Sequence, residues 1–286
     1  GENKVEKKEV APPPFLGLDH LKNPSIMPWS VNIQDRDLPD MRNHYSQNSR
    51  KEWREKEECS NEAEVDFTKF RCTWLCPSVK DIDLEDYIDF ENEIKGAHSE
   101  PFCFTDHVSP IRAMDHLPGI RSRADIKLAQ EVGLTQVLQS LGGEPEPYAL
   151  VGTRIAQALA KNSTSWLAYT LASLYWRVEG EVEYATDCLR MSLTYVPYQY
   201  RDVCLISLAN ILQDMSFGND AILVARAALD VDNHLPESHF TLANLYGVMA
   251  DWENAAVYYN STLEFNPTFQ PAKDRLQAIR CRGYAP

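Results

Sequence analysis

The strings Leu171-Ala172-Ser173-Leu174-Tyr175, Leu208-Ala209-Asn210-Ile211-Leu212 and Leu242-Ala243-Asn244-Leu245-Tyr246 are three versions of one pattern, and the last two lie 34 residues apart. A period of that length marks a helix-turn-helix unit, which cannot bury its apolar face alone and therefore stacks on copies of itself. This constrains the second half of the chain to an all-α, right-handed superhelix. A stack of this kind presents a groove, which points to a chain that holds another protein.

Each position in the pattern has a physical task. Ala172, Ala209 and Ala243 are small where the two helices of one unit must approach, and Ala185, Ala221 and Ala255 match them on the second helix. Leu171, Leu208 and Leu242 fill the seam, while Tyr175 and Tyr246 are expected to fill the gap toward the next unit. Gly180, Gly218-Asn219-Asp220 and Asp251 supply turn and start signals between helices. Pro197 and Pro267 end their helices, because proline cannot continue the ladder. The first spacing is longer than the second, and the extra residues fit near Glu179-Gly180-Glu181 and in Tyr198-Gln199-Tyr200-Arg201, where insertions cost little. After the last unit, Pro271 to Arg282 reads as a capping helix. Lys273, Asp274, Arg275 and Arg280 are expected to face solvent there, with Leu276 and Ile279 covering the open end.

The same residues resemble the tetratricopeptide repeat family, whose signature is W-x2-L-G-x2-Y, A-x3-F and Pro. The last unit reads His239-x2-Leu242-Ala243-x2-Tyr246, Ala255-x3-Tyr259 and Pro267. The segment from Trp166 to Arg177, with Ala185 to Ser192, is similar to the C-terminal repeats of one member of that family. That resemblance implies a non-enzymatic scaffold linked to actin filament polymerisation and formation of the primary cilium. In family members that clamp the acidic tail of a chaperone, lysine and arginine line the groove. Tyr169, Ile206 and Phe240 stand at those positions here, so the resemblance does not imply that function.

The groove expected from the repeats is lined by Ser173, Asn210 and Asn244 just after the small seam residues. Tyr169, Ile206 and Phe240 lie one turn earlier, and Trp176, Arg177 and Gln213 form the other edge. An asparagine donates and accepts at once, so a pair spaced by one repeat suits an extended peptide backbone. The expected partner is therefore a peptide or helix of another protein. The alternative is a structural subunit of a larger assembly, with the stack filled by the chain's own N-terminal segment.

Residues 1–58 read as extended or disordered, with Pro12-Pro13-Pro14 and a dense polar run. Residues 59–122 form a cysteine-containing, largely irregular region, 123–161 a helical lead-in, 162–267 three repeats, and 268–286 the cap and tail. The acids around Asp86 and Asp89 read as a solvated face. Cys59, Cys72, Cys76 and Cys103 are candidates for disulfides, for a Cys3His zinc set with His107, or for free thiols. Cys188 and Cys204 read as small buried hydrophobes. Asn162-Ser163-Thr164 and Asn260-Ser261-Thr262 are two glycosylation sequons. Sequons and cysteines together suggest a secretory lumen, whereas the family resemblance suggests cytoplasm and cytoskeleton.

The 286-residue chain is 44% hydrophobic, enough for a core, and carries a formal net charge of −14. That charge argues against nucleic acid and against anionic lipid. No apolar run reaches transmembrane length, so direct membrane insertion is not expected. Starting at Gly1, the chain is expected to be an excerpt or a processed form. The seven histidines pair with no nucleophile motif, so no catalytic residue, metal, cofactor or small-molecule substrate is expected.

Overall fold

In a computed structural model, residues 80–281 are described. The segment 1–58 and Cys59, Cys72 and Cys76, on which several expectations rest, lie outside them. The described residues are all-helical: α1 Pro118–Arg121, α2 Gly133–Gln139, α3 Tyr148–Lys161, α4 Trp166–Glu179, α5 Val182–Tyr195, α6 Arg201–Asp214, α7 Gly218–Val231, α8 Pro236–Val248, α9 Trp252–Phe265 and α10 Gln270–Cys281. Three antiparallel hairpins, α4–α5, α6–α7 and α8–α9, stack in chain order; α2 and α3 pack on α4 and α10 packs on α9.

The six seam alanines and the three seam leucines are fully buried. A larger side chain at an alanine would push the helices of a hairpin apart, since interiors have no spare volume. The hairpin turns share one hydrogen-bond pattern. Gly180, Ser216 and Ala250 each adopt positive φ just past a first helix. In each turn the next amide reaches back to close the helix: Glu181 N to Trp176 O, Phe217 N to Leu212 O, and Asp251 N to Tyr246 O, all at 2.9 Å. This is the Schellman closure, which satisfies otherwise unpaired carbonyls. Gly218 serves as a start signal, opening α7, while Ser216 supplies the left-handed position of the turn. Asp251 caps α9 by accepting from Asn254 N.

The extra residues of the first repeat separate into two places. One lengthens α4, which caps later relative to Tyr175 than α6 and α8 do relative to Leu212 and Tyr246. The others form a short 3-10 turn, Tyr198–Tyr200, ahead of α6. Tyr175 and Tyr246 fill gaps, but toward the preceding unit rather than the next, with Tyr246 also stacked on Tyr258 of its own hairpin at 5.6 Å. Tyr175 stacks on Tyr148 of α3, ring centroids 4.7 Å apart, and a Cβ on Gly152 would sit 2.6 Å from its ring. Tyr246 takes a hydrogen bond at 2.6 Å from Arg226 of α7.

Before α3 the chain runs as a strap along the hairpins. Lys80 reaches Asp202 at 2.9 Å and Asp232 at 2.7 Å. Arg154 of α3 donates to the carbonyls of Asp89 and Asn92. Arg112 donates to Val196 O, Asp115 pairs with Arg190, Gly119 N donates to Asp220, and Arg123 pairs with Asp187. A strap without its own core stays folded this way, by exchanging water for fixed partners on a preformed surface. Asp86 and Asp89 are exposed, as a solvated face requires.

Candidate functional site

The first helices of the hairpins, α4, α6 and α8, carry every residue assigned to the groove. The structure places eight of the nine in the interior: Tyr169, Ser173, Trp176, Arg177, Ile206, Asn210, Phe240 and Asn244 are buried, and Gln213 alone is half-buried. This corrects the expectation of an open, amide-lined groove, because these side chains are buried between helices. Asn210, Arg177 and the Asn244 carbonyl oxygen are engaged within the chain, while Ser173 Oγ and Asn244 Nδ2 are buried without a partner among the described residues.

Asn244 Oδ1 accepts from Tyr259 Oη at 2.7 Å and from Arg275 Nη1 at 2.9 Å. Arg275 also lies over the Phe240 ring, 5.8 Å from its centroid, and is only 2% exposed. The capping helix thus sends an arginine into the stack instead of into solvent, a second correction. Its charge is tolerable there because hydrogen bonds and an aromatic face replace water. Burial pushes the Tyr259 phenol up to about 12, although Arg275 draws it back down. Asn210 Nδ2 is turned onto its own helix, donating to Ile206 O at 2.8 Å.

At the other end of the stack, Arg177 makes a two-pronged pair with Glu131 of the strap, both contacts at 2.9 Å, and donates to Ser207 of α6. Trp176 Nε1 donates to Pro101 O at 2.8 Å. Tyr169 Oη donates to Ser163 O. These are the interactions of a groove edge occupied by the chain itself.

The ion pairs of Lys80 show how deeply the strap is seated. Asp202 is fully buried, and burial raises its pKa in spite of the ammonium beside it. Burial acts in the same sense on Asp232, but Lys80 and the His234 amide outweigh it and hold that carboxyl below its usual value.

Cys103 forms a disulfide with Cys188 on α5. The expectation for Cys188 as a small buried hydrophobe is thereby corrected, and Cys103 is removed from the Cys3His zinc set, since a disulfide sulfur offers no thiolate. Cys281 is disulfide-bonded as well. Cys204 is a free buried thiol, pushed up to about 11 by burial. Of the sequons, Asn162 is exposed and Asn260 is 9% exposed on α9.

The disulfide produces a surface that sequence reasoning missed. Burial alternates along residues 101–104: Pro101 and Cys103 are buried while Phe102 and Phe104 are exposed. The two rings are 54% and 67% exposed and meet edge to face at 4.7 Å. Tyr184 of α5, also exposed, lies 6.5 Å from Phe102 and 4.9 Å from the Trp176 ring beneath it. Glu100, Asp106 and Glu183, adjacent to these aromatics in the chain, are exposed. The available signal was the alternation Pro-Phe-Cys-Phe, which reads as a strand edge without the disulfide partner. Chemically, the arrangement is an aromatic platform with acidic neighbours, suited to contact rather than to bond making.

No protein-family model matches the chain. Over 232 residues, 80% of its length, it is 44% identical to tetratricopeptide repeat protein 17 of Homo sapiens, 20% of which the match covers. The corresponding proteins of Danio rerio and Mus musculus match with the same identity over the same share of this chain, and 19% of each is covered. The chain therefore spans about a fifth of the length of these relatives. Among the described residues, no helix is long and apolar enough to cross a membrane.

Proposed function

The chain carries the tetratricopeptide repeat fold and resembles tetratricopeptide repeat protein 17 over four fifths of its length, and from that premise we propose that it is a non-enzymatic interaction scaffold whose first-helix groove is closed by its own polypeptide. Partners then dock on the outer aromatic platform of Phe102, Phe104 and Tyr184. The burial of eight of the nine groove residues carries this reading. Asn244 is buried, and its one side-chain acceptor is already shared by Tyr259 and Arg275, so a guest backbone cannot reach it without displacing the chain's own contacts. Exposed aromatic clusters of this size are otherwise a liability, and on stable proteins they mark contact sites. The acidic neighbours favour a basic segment bearing apolar residues. The link to actin filament polymerisation and the primary cilium is part of the same proposal and concerns the longer protein.

A photoactivatable phenylalanine analogue tests it. Placed at position 104 in the full-length protein, it is expected to cross-link another protein, and placed at position 213 it is expected to yield none. Intermolecular products from 213 with none from 104 would return the function to the groove. Identifying the cross-linked protein decides whether it belongs to actin assembly or the cilium.

A further inference from the structure

The loops that follow α3, α7 and α9 are built alike, whereas the one after α5 starts from Val196 in a different conformation. Asn162 after α3, Asp232 after α7 and Asn266 after α9 adopt nearly the same backbone, with φ/ψ of −140/95, −149/101 and −136/89. Each side chain accepts from the amide two residues on: Thr164 N at 3.0 Å, His234 N at 3.1 Å and Thr268 N at 3.1 Å. At Asn162 and Asn266 the threonine hydroxyl donates to the same oxygen, at 2.8 Å in both. These are Asx turns, and they serve to launch the next helix.

Three chemistries stand on that one scaffold. Asp232 has no amide nitrogen. Asn266-Pro267-Thr268 has the nitrogen and the hydroxyl, but proline in the middle forbids glycan transfer. Asn162-Ser163-Thr164 has everything an acceptor needs, and all three residues are exposed. Both turn bonds use Oδ1, so neither occupies Nδ2, the atom that would carry sugar. At the other sequon, Asn260 Nδ2 donates to Ala256 O at 2.9 Å within α9, and the side chain is buried between helices. Two disulfide-bonded cysteines, Cys103 and Cys188, and a third, Cys281, place the fold in an oxidising compartment, where oligosaccharide transfer takes place.

We propose that Asn162 carries an N-linked oligosaccharide and that Asn260 does not. The donor is a lipid-pyrophosphate-linked oligosaccharide. Asn162 Nδ2 forms a bond to the anomeric carbon, the bond from that carbon to the pyrophosphate oxygen breaks, the lipid pyrophosphate leaves with the electron pair, and one amide proton passes to a base. The product keeps Oδ1 as an acceptor, so the folded turn loses no hydrogen bond. The proposal is independent of where partners dock.

The natural full-length protein, isolated from animal cells that express it, is treated with peptide N-glycosidase in 18O water and mapped by mass spectrometry. The expected result is heavy aspartate at 162 and unmodified asparagine at 260. Finding Asn162 unmodified overturns the proposal. The repeat architecture supplies matched variants. Ser163→Pro copies the Asn266 turn, so it should remove the glycan without unfolding the loop; no backbone bond of Ser163 N is among those of the turn. Pro267→Ser completes a sequon on the same geometry and should gain a glycan at Asn266. Glycan at 266 but not at 162 contradicts the proposal at the level of the local site. Glycan at neither contradicts it at the level of the compartment.

Discussion

Arg275, Asn244 and Tyr259 form a buried polar node whose members have few substitutes. Removing the acceptor in Asn244→Ala leaves a phenol and a guanidinium without one of their partners, which is expected to cost about 3 kcal/mol because unmet buried donors lose their full desolvation energy. Urea unfolding measures this; an open groove would predict no change in midpoint. The second titratable element is His239, fully buried, whose Nε2 donates to Asn233 O at 2.8 Å. Burial lowers its pKa below the ordinary value near 6.5, with the Asn233 bond and Glu264 opposing. The unfolded chain then binds a proton that the folded chain refuses, so stability falls as pH drops below about 6.5 toward the folded pKa. In His239→Gln that part of the slope should vanish, as seen by comparing unfolding free energies at two pH values on either side of the histidine range. Neither residue's burial was legible in the sequence. A charged residue in a capping helix reads as solvent-facing, and a single charge carries no signal of the Phe240 ring and Asn244 carbonyl that await Arg275 across the helix interface.

The helical hairpins themselves were legible, because small and large residues recur at fixed offsets and the period leaves one packing solution. The turns were less so. Only Gly180 advertises a left-handed residue; Ser216 and Ala250 adopt the same φ at steric cost. Strain from a Cβ in that region is about 1–2 kcal/mol. Ala250→Gly should therefore stabilise the chain, net of the extra freedom glycine brings to the unfolded state, by about 0.5–1 kcal/mol. A rise in thermal midpoint is the expected readout, and the same substitution at Ser216 should act similarly and additively, since the two turns lie in different hairpins. The pattern could not reveal this, because the helix-forming residues dominate the signal and the strained position is occupied by ordinary ones.

Over the whole molecule, the strap turns a chain with a sequence-local fold into one with long-range closure. Its path was not legible: residues 80–117 have no helical period, and their partners lie far away in sequence. Lys80 binds across a gap of 152 residues to Asp232, and Cys103 and Cys188 are 85 apart. Such contacts depend on a surface that exists only after the hairpins have stacked. The disulfide then confines the unfolded ensemble, and a loop of this length contributes roughly 4–5 kcal/mol in the chain-entropy account. Cys103→Ser with Cys188→Ser is expected to lower stability by about 2–5 kcal/mol. The loss should be uneven. The 101–104 segment keeps the Trp176 bond to Pro101, but the covalent tie from Cys103 to α5 is gone, so limited proteolysis should cut there before it cuts α6 to α9. Equal protection of that segment in the double variant and the parent would mean that Trp176, the Arg112 bonds and the Asp115–Arg190 pair hold the strap without the covalent link. The aromatic platform would then be a property of packing rather than of oxidation state.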